Sequence, residues 1–293
     1  MEVFSQFIQL FFSGLTIGSI YALIAIGFVV TYNVTGVLNF AQGEFAMLGA
    51  LTAISLSGAG LPLWAAISLA IAIVVLIGAL FEKTAIYPAR HSSGATLIII
   101  TIGVSFVFRG LAIFIWGTQP KSLRPFTAND PITIFQAVLL PQNLWAIAIS
   151  LVGVFSMGYF FNKTYIGKAV SACVVNKFAA RLMGIHPEKM SLIAISISAG
   201  LGALAGIVIA PISGASYNMG MMLGMKAFVA AVIGGLTNAP AAVVGAFLLG
   251  ILESFAEGFW SAGLKDAISF ALLLMMLFVK PNGLFAKATG KRV

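Results

Sequence analysis

The chain has 293 residues, of which 60% are apolar and only 8% charged, with a formal net charge of +8. A soluble domain carries roughly 25% charged residues, and at a mean hydropathy of +1.08 a water-exposed fold lacks the polar side chains to cover itself. The positive balance does not point to nucleic acid, because the basic residues lie between apolar runs instead of clustering on a polar face.

Apolar segments occupy approximately residues 7–32, 40–57, 61–81, 95–116, 144–161, 191–210, 226–236, 241–257 and 264–279. Four of them reach the length of about 20 residues that crosses a hydrocarbon core of about 30 Å. Runs such as LAIAIVVLIGAL lack the alternation of barrel strands, and lipid offers no partner for a bare backbone, so helices are what remains. The expected fold is an all-α integral membrane protein, a polytopic helical bundle of about eight or nine spans in a single domain over residues 1–293.

The first segment follows MEVFSQF, which lacks the positive patch of a cleavable signal, and no small-residue cleavage site follows it. It is expected to remain as a transmembrane helix. Gly14 and Gly18, like Gly202 and Gly206 and Gly220 and Gly224, stand four apart and allow close backbone approach. Packing within one bundle is the main reading of these pairs, and contact with another subunit the lesser one.

The second segment is short and carries Gln42 and Glu44, with Asn39 just before it. A carboxylate in a span costs roughly 2.5–3.5 kcal/mol unless it meets water, a partner or a helix end. Two readings stand. Asn39, Gln42 and Glu44 line a polar translocation path or gate, or Glu44 sits in a first helical turn near the cytoplasmic interface, where the dipole favours an anion.

Arg109 lies about two turns from the far end of the fourth segment, and Glu253 and Glu257 share a face near the end of the eighth. An Arg109–Glu257 ion pair closing the outer side is one expectation; independent snorkelling of each side chain to the interface is the other.

Three connections are long: 82–94, 117–143 and 162–190. The first holds Lys83 and Arg90, the third Lys163, Lys168, Lys177, Arg181 and Lys189, and the tail Lys280, Lys287, Lys291 and Arg292, together eleven of the 16 basic residues. Positively charged loops stay in the cytoplasm, which places the amino terminus outside and the carboxyl terminus inside. The segment 226–236 must then cross with about 11 residues, or ~16 Å of helix, so it is expected to be broken or partly re-entrant. The second and seventh segments run in opposite directions in this count, the pattern of an inverted repeat with interrupted helices along a substrate path.

The stretch YIGKAVSACVVNKFAARLMGIHPEKM begins near Gly167 and stops near Gly184, with Pro187 beyond. One short helix in a basic cytoplasmic loop is expected, serving either as a docking helix for a soluble partner or as an interfacial helix held to anionic membrane lipid by Lys168, Lys177 and Arg181.

Catalytic and metal-binding roles find no support in the sequence. No G-x-x-x-x-G-K-[ST] loop occurs, and the Gly-Lys pairs at 167–168 and 290–291 lack its other members, so the chain alone is not an ATPase. His91 and His186 have no companion ligands and read as loop residues, and Cys173, the single cysteine, excludes an intrachain disulfide. No paired carboxylates or nucleophile–base arrangement suggests a membrane enzyme, and no cofactor is implied.

Three segments together, GSIYALIAIGFVVTYNVTGVLNFAQGEFAMLGA at 18–50, GKAVSACVVNKFAARLMGI at 167–185 and MKAFVAAVIGGLTNAPAAVVGAFLLGILES at 225–254, resemble the permease subunits of branched-chain amino-acid ABC importers. The resemblance implies a permease in a bacterial inner membrane that forms half of the pathway for branched-chain amino acids. It also implies a second homologous permease, two cytoplasmic ATPase subunits that hydrolyse ATP, and an external substrate-binding protein. The 167–185 loop is similar to the helix that enters a groove of the ATPase, with Gly167, Lys168, Ala172, Asn176, Ala180 and Gly184 as its expected contacts. Relatives often carry His where this chain has Gln42 and Arg where it has Ser171, which leaves permeases for urea and short amides as an alternative. A secondary transporter or channel independent of ATP is the competing reading from another class, and it would need coupling carboxylates near the midplane.

Overall fold

The computed structural model describes residues 2–127, 130–134, 137–280 and 283–285; Lys287, Lys291 and Arg292 lie outside them. It is 79% helical, and six of its helices are long and apolar enough to cross a membrane. The protein is an all-α polytopic membrane protein.

Each of the nine apolar segments forms a helix: α1 (Glu2–Thr35), α2 (Gln42–Gly58), α3 (Leu63–Phe81), α4 (Gly94–Trp116), α5 (Pro141–Lys163), then, after two short helices, α8 (Pro187–Ser213), α9 (Met219–Gly234), α10 (Ala239–Phe259) and α11 (Ala262–Val279). The short helices are α6 (Tyr165–Val175) and α7 (Lys177–Leu182). A π-turn at Glu82–Ile86 extends α3. The 117–143 connection, a loop by its sequence, contains two short antiparallel strands, β1 (Ile132–Ile134) and β2 (Ala137–Leu139).

Helix α1 is the axis of the bundle, buried almost continuously from Gly18 to Val30. It packs on α10 and α8, and α3 also packs on α8. Close approach is set by small residues: a Cβ on Gly18 would lie 2.8 Å from Phe247 Cα, and one on Gly206 would lie 1.8 Å from Ala46 O. The paired glycines of α1, α8 and α9 therefore serve contacts inside this chain, as bundle packing requires. Helices α3, α4 and α5 turn large side chains such as Leu76, Phe114 and Phe155 outward, as lipid-facing spans do.

One end of the bundle gathers the 59–62 and 117–140 connections, where Lys121 and Ala215 exchange backbone hydrogen bonds of 2.8 and 2.6 Å. The other end gathers the chain after α1, the π-turn and the α6–α7 segment, where Lys177 Nζ donates to Thr35 O at 3.4 Å and Asn33 to Thr237 O at 3.3 Å. This second end carries Lys83, Arg90, Lys163, Lys168, Lys177, Arg181 and Lys189, and we call it the basic end.

The 162–190 connection holds two helices where one was expected. Asn176 breaks the run with extended backbone and caps α7, its Oδ1 accepting from Phe178 N and Ala179 N at 3.0 Å each. Asparagine in this position supplies a capping acceptor and so favours a new start over continuation. Gly184, at φ +81°, closes α7: its N–H donates to Arg181 O, and that of Ile185 reaches Ala180 O. This is a Schellman turn, which favours glycine.

Candidate functional site

The α1–α2 connection re-enters the bundle without helix. Phe40 N donates to Thr101 Oγ1 at 3.1 Å, and Ala41 N to Asn39 Oδ1 at 3.1 Å. Thr101 stands seven residues into α4, about 10 Å along its axis at 1.5 Å per residue, so α2 begins inside the bundle and not at its basic end. Helix α9 begins at the same depth from the opposite direction. A Cβ on Gly43 would lie 2.0 Å from Gly220 O, and one on Gly220 would lie 2.4 Å from Glu44 Oε2. The first turns of α2 and α9 cross in contact, and only glycine at both positions permits it.

Glu44 lies in that crossing, 1% exposed. Arg109 Nε is 3.2 Å from its Oε1, but the N–H is not directed at the oxygen, so the contact is Coulombic without an aligned hydrogen bond. Glu44 Oε2 has no hydrogen-bond partner among the described residues. The guanidinium also donates to Ser105 Oγ at 3.2 Å and lies 4.5 Å over the Phe106 ring, with Met221 Sδ 3.3 Å from Nη1.

The Arg109–Glu257 pair does not form. A helical side chain leans toward the amino terminus of its helix, so Arg109 of α4 reaches back to Ser105 and Glu44 instead of snorkelling to the far end. Glu257 binds Lys265 Nζ at 2.9 Å. The expected position of Glu44 near an interface is also corrected: it does occupy a first turn, but a buried one with a cation beside it.

Gln42 is held within the packed bundle. It is fully buried, donates to Ser198 O at 3.0 Å and accepts from Ser198 Oγ at 2.6 Å, while the same hydroxyl is 2.9 Å from Gly27 O. Its amide joins α1, α2 and α8. Asn39 is buried as well, with its amide oxygen holding the turn into α2.

A second buried charge cluster escaped the sequence reading. Lys226 Nζ of α9 is 3.2 Å from Glu253 Oε1 of α10 and 2.7 Å from Asp266 Oδ1 of α11. Tyr21 OH donates to Glu253 Oε2 at 2.7 Å, and Ser269 Oγ donates to Glu253 Oε1. Lys226 interrupts the run MGMMLGMKAFVAAVIGG; taken as the end of a segment, it concealed that α9 starts at Met219. Around α9, Met221, Met225, Met222 and Lys226 follow one another at 100° per residue, so a partly exposed methionine strip lies between the Arg109 and Asp266 sides. The Asp266 side chain is 48% exposed and that of Arg109 18%.

At the basic end, the expected contact residues separate into two groups. Gly167 and Ala180 are buried: a Cβ on Gly167 would lie 2.0 Å from Phe160 O, and Ala180 packs inward. Lys168, Asn176 and Gly184 are exposed, and Ala172 is half-buried. The sequence reading missed the larger exposed side chains beside them, Val175, Phe178, Leu182 and Met183, the last 82% exposed. Their signal was an apolar tip on a basic loop.

A family profile described as "Branched-chain amino acid transport system / permease component" matches residues 10–277. The chain is 31% identical to the high-affinity branched-chain amino acid transport system permease protein LivH of Escherichia coli (strain K12), covering 100% of this chain and 99% of the relative. It is 27% identical to the corresponding permease protein BraD of Pseudomonas aeruginosa, covering 98% of each. Among solved structures it is similar to PsaBC from Streptococcus pneumoniae in complex with Fab, with a TM-score of 0.51 and 12% identity over 93% of this chain and 92% of that one, a likeness of fold.

Proposed function

Because the chain belongs to the family of permease components of branched-chain amino acid transport systems, we propose that it forms half of the membrane pathway of an ATP-driven importer for branched-chain amino acids. The observation that carries this reading is the α6–α7 segment, a capped two-helix unit at the basic end that presents Val175, Phe178, Leu182 and Met183 to solvent. An exposed apolar tip of this kind is a surface for a partner, here a soluble ATPase subunit that moves the bundle. Lys168, Asn176 and Gly184 share that surface, whereas Gly167 and Ala180 hold its shape from within.

The complete transporter comprises this chain as one permease domain, a second homologous permease, two ATPase subunits that hydrolyse ATP, and an external binding protein. The basic end faces the cytoplasm by the placement of its lysines and arginines, so the amino terminus is outside. Helices α1–α4 and α8–α11 form an inverted repeat; α2 and α9, expected from the sequence to be interrupted, are continuous but short helices of 17 and 16 residues that begin inside the bundle. The support for the repeat is the packing of α1 on α10 and of α8 on α3, together with the crossing of the two first turns. In transporters such repeats hold the substrate path near the midplane.

Glu44 and Arg109 act as the gate at that crossing. A buried carboxylate oxygen without a donor among the described residues, beside a cation whose Nε–H is not aligned with it, can exchange partners when α2 and α9 move. Copurification tests the assignment: the tagged chain is expected to bring down an ATPase, and liposomes holding that assembly with its binding protein should accumulate leucine only with ATP. Leucine accumulation by the chain alone would refute it.

A further inference from the structure

A cavity of about 170 Å³ opens at the basic end between the π-turn and α7. Three cations, Arg90, Lys177 and Arg181, and two carboxylates, Glu82 and Glu188, line it, so its charge is positive before His91 is counted. Glu188 is occupied by Arg181 at 2.6 Å. Glu82 is buried in the wall, 3% exposed. Among the described residues neither Arg90 nor Lys177 has a carboxylate within the 4.0 Å of an ion pair. Lys177 Nζ meets only the Thr35 carbonyl, and Arg90 donates Nε–H to His91 Nε2 at 3.2 Å with its guanidinium 4.0 Å over the Tyr87 ring. That stacking fixes the guanidinium plane, the arrangement in which arginine recognises planar or tetrahedral oxyanions.

We infer that this cavity is a phosphate-binding site in which Arg90 and Lys177, carried by different elements, close on one anionic phosphate group. The volume suits it, since a water occupies about 30 Å³, leaving room for a phosphate and a few waters. The depth suits it too, because α1 and α3 end and α4 and α8 begin around the cavity, at the level where helices leave the hydrocarbon for the headgroups. The phosphate comes either from an anionic lipid of the inner leaflet or from solution. In both cases the occupant bridges α7 to the turn between the π-turn and α4, where Arg90 lies. Binding itself is independent of the transport reading. Its consequence rests on that reading: an occupied site pins the ATPase-facing segment to α3 and α4.

The full chain with its partner subunits is placed in nanodiscs of phosphatidylcholine with or without phosphatidylglycerol, and retained lipid is counted by native mass spectrometry. In phosphatidylcholine discs, radiolabelled inorganic phosphate is titrated in parallel. Selective retention of phosphatidylglycerol that falls about tenfold in each of R90Q and K177Q, the loss of one charge-assisted contact, and survives in K177R, which keeps both charges and the stacked Arg90 guanidinium, supports the site with lipid as its source. Saturable phosphate binding with the same pattern supports it with a soluble source. Should neither probe distinguish wild type from folded R90Q and K177Q, or should K177R lose binding as fully as they do, the site is refuted. None of these readouts requires transport, so a failed transport assignment would leave them standing.

Discussion

Glu44 and Arg109 face each other at 3.2 Å inside the bundle, at the point where the first turns of two helices entering from opposite ends meet. Neither residue is placed there by its own helix alone. Glu44 is carried to that depth by the unwound 36–41 connection, and Arg109 by the backward lean of a side chain from about two turns before the end of α4.

Breaking that pair leaves one buried charge uncompensated, a loss of about 3–5 kcal/mol for a fully buried pair and less here because Arg109 is partly exposed. We expect E44Q and R109Q each to lower the thermal midpoint of the detergent-purified protein. E44Q/R109Q should lose markedly less than the two together. Strict additivity in this cycle would show that the residues do not interact.

Among the described residues, Lys226 is the one cation shared by Glu253 and Asp266. K226M therefore leaves two carboxylates facing each other and should destabilise more than D266N, whose side chain is 48% exposed and better solvated. Chemical denaturation in matched detergent ranks the two, and a larger effect of D266N would contradict the arrangement.

The α2–α9 crossing tolerates no side chain on Gly43 or Gly220. Overpacking usually costs about 1–3 kcal/mol, and around Gly43 the obstacles are backbone atoms of α9 that cannot rotate away. G43V should reduce the monodisperse peak in fluorescence-detected size exclusion, whereas G103V, on an open surface of α4, should leave it unchanged.

Phe178 and Met183 are exposed on the α6–α7 segment without supporting its own packing. F178S/M183S is expected to abolish substrate-stimulated ATP hydrolysis in the reconstituted transporter while insertion and expression remain intact. G184V should do the same by straining the turn that closes α7, where a side chain at positive φ costs about 1–2 kcal/mol. Normal stimulation in F178S/M183S would exclude those side chains from the contact.

Cys173 gives an internal reporter. It is 1% exposed on α6, and burial pushes its thiol above the ordinary range. Because the thiolate is the reactive form, a raised thiol means less of it at neutral pH. Maleimide labelling should be slow at pH 7 and rise about tenfold per pH unit, and it should accelerate when ATP binding displaces the segment. Fast, pH-independent labelling of the resting protein would contradict the burial of Cys173.

The helices themselves were legible because every apolar run long enough to matter became one, and because basic loops gathered at one end. Depth was not legible. Spacing along the chain places Arg109 near the end of α4, yet says nothing of where α2 begins, since that depends on Thr101 holding Phe40 across the bundle. Lys226 misled for a related reason: a charge in an apolar run resembles a boundary until its partners, supplied by α10 and α11, are known. Gln42 was legible as a polar residue in an apolar segment, whereas its bonds to Ser198, on a helix far along the chain, were not.

The most direct test is the side of the membrane on which Asn176 lies. With Cys173 replaced by alanine, N176C should react with a membrane-impermeant maleimide in inside-out vesicles and be protected there when the ATPase subunits are bound. Labelling from the outside of intact cells would place the α6–α7 segment beyond reach of any cytoplasmic ATPase and contradict its role as the coupling element.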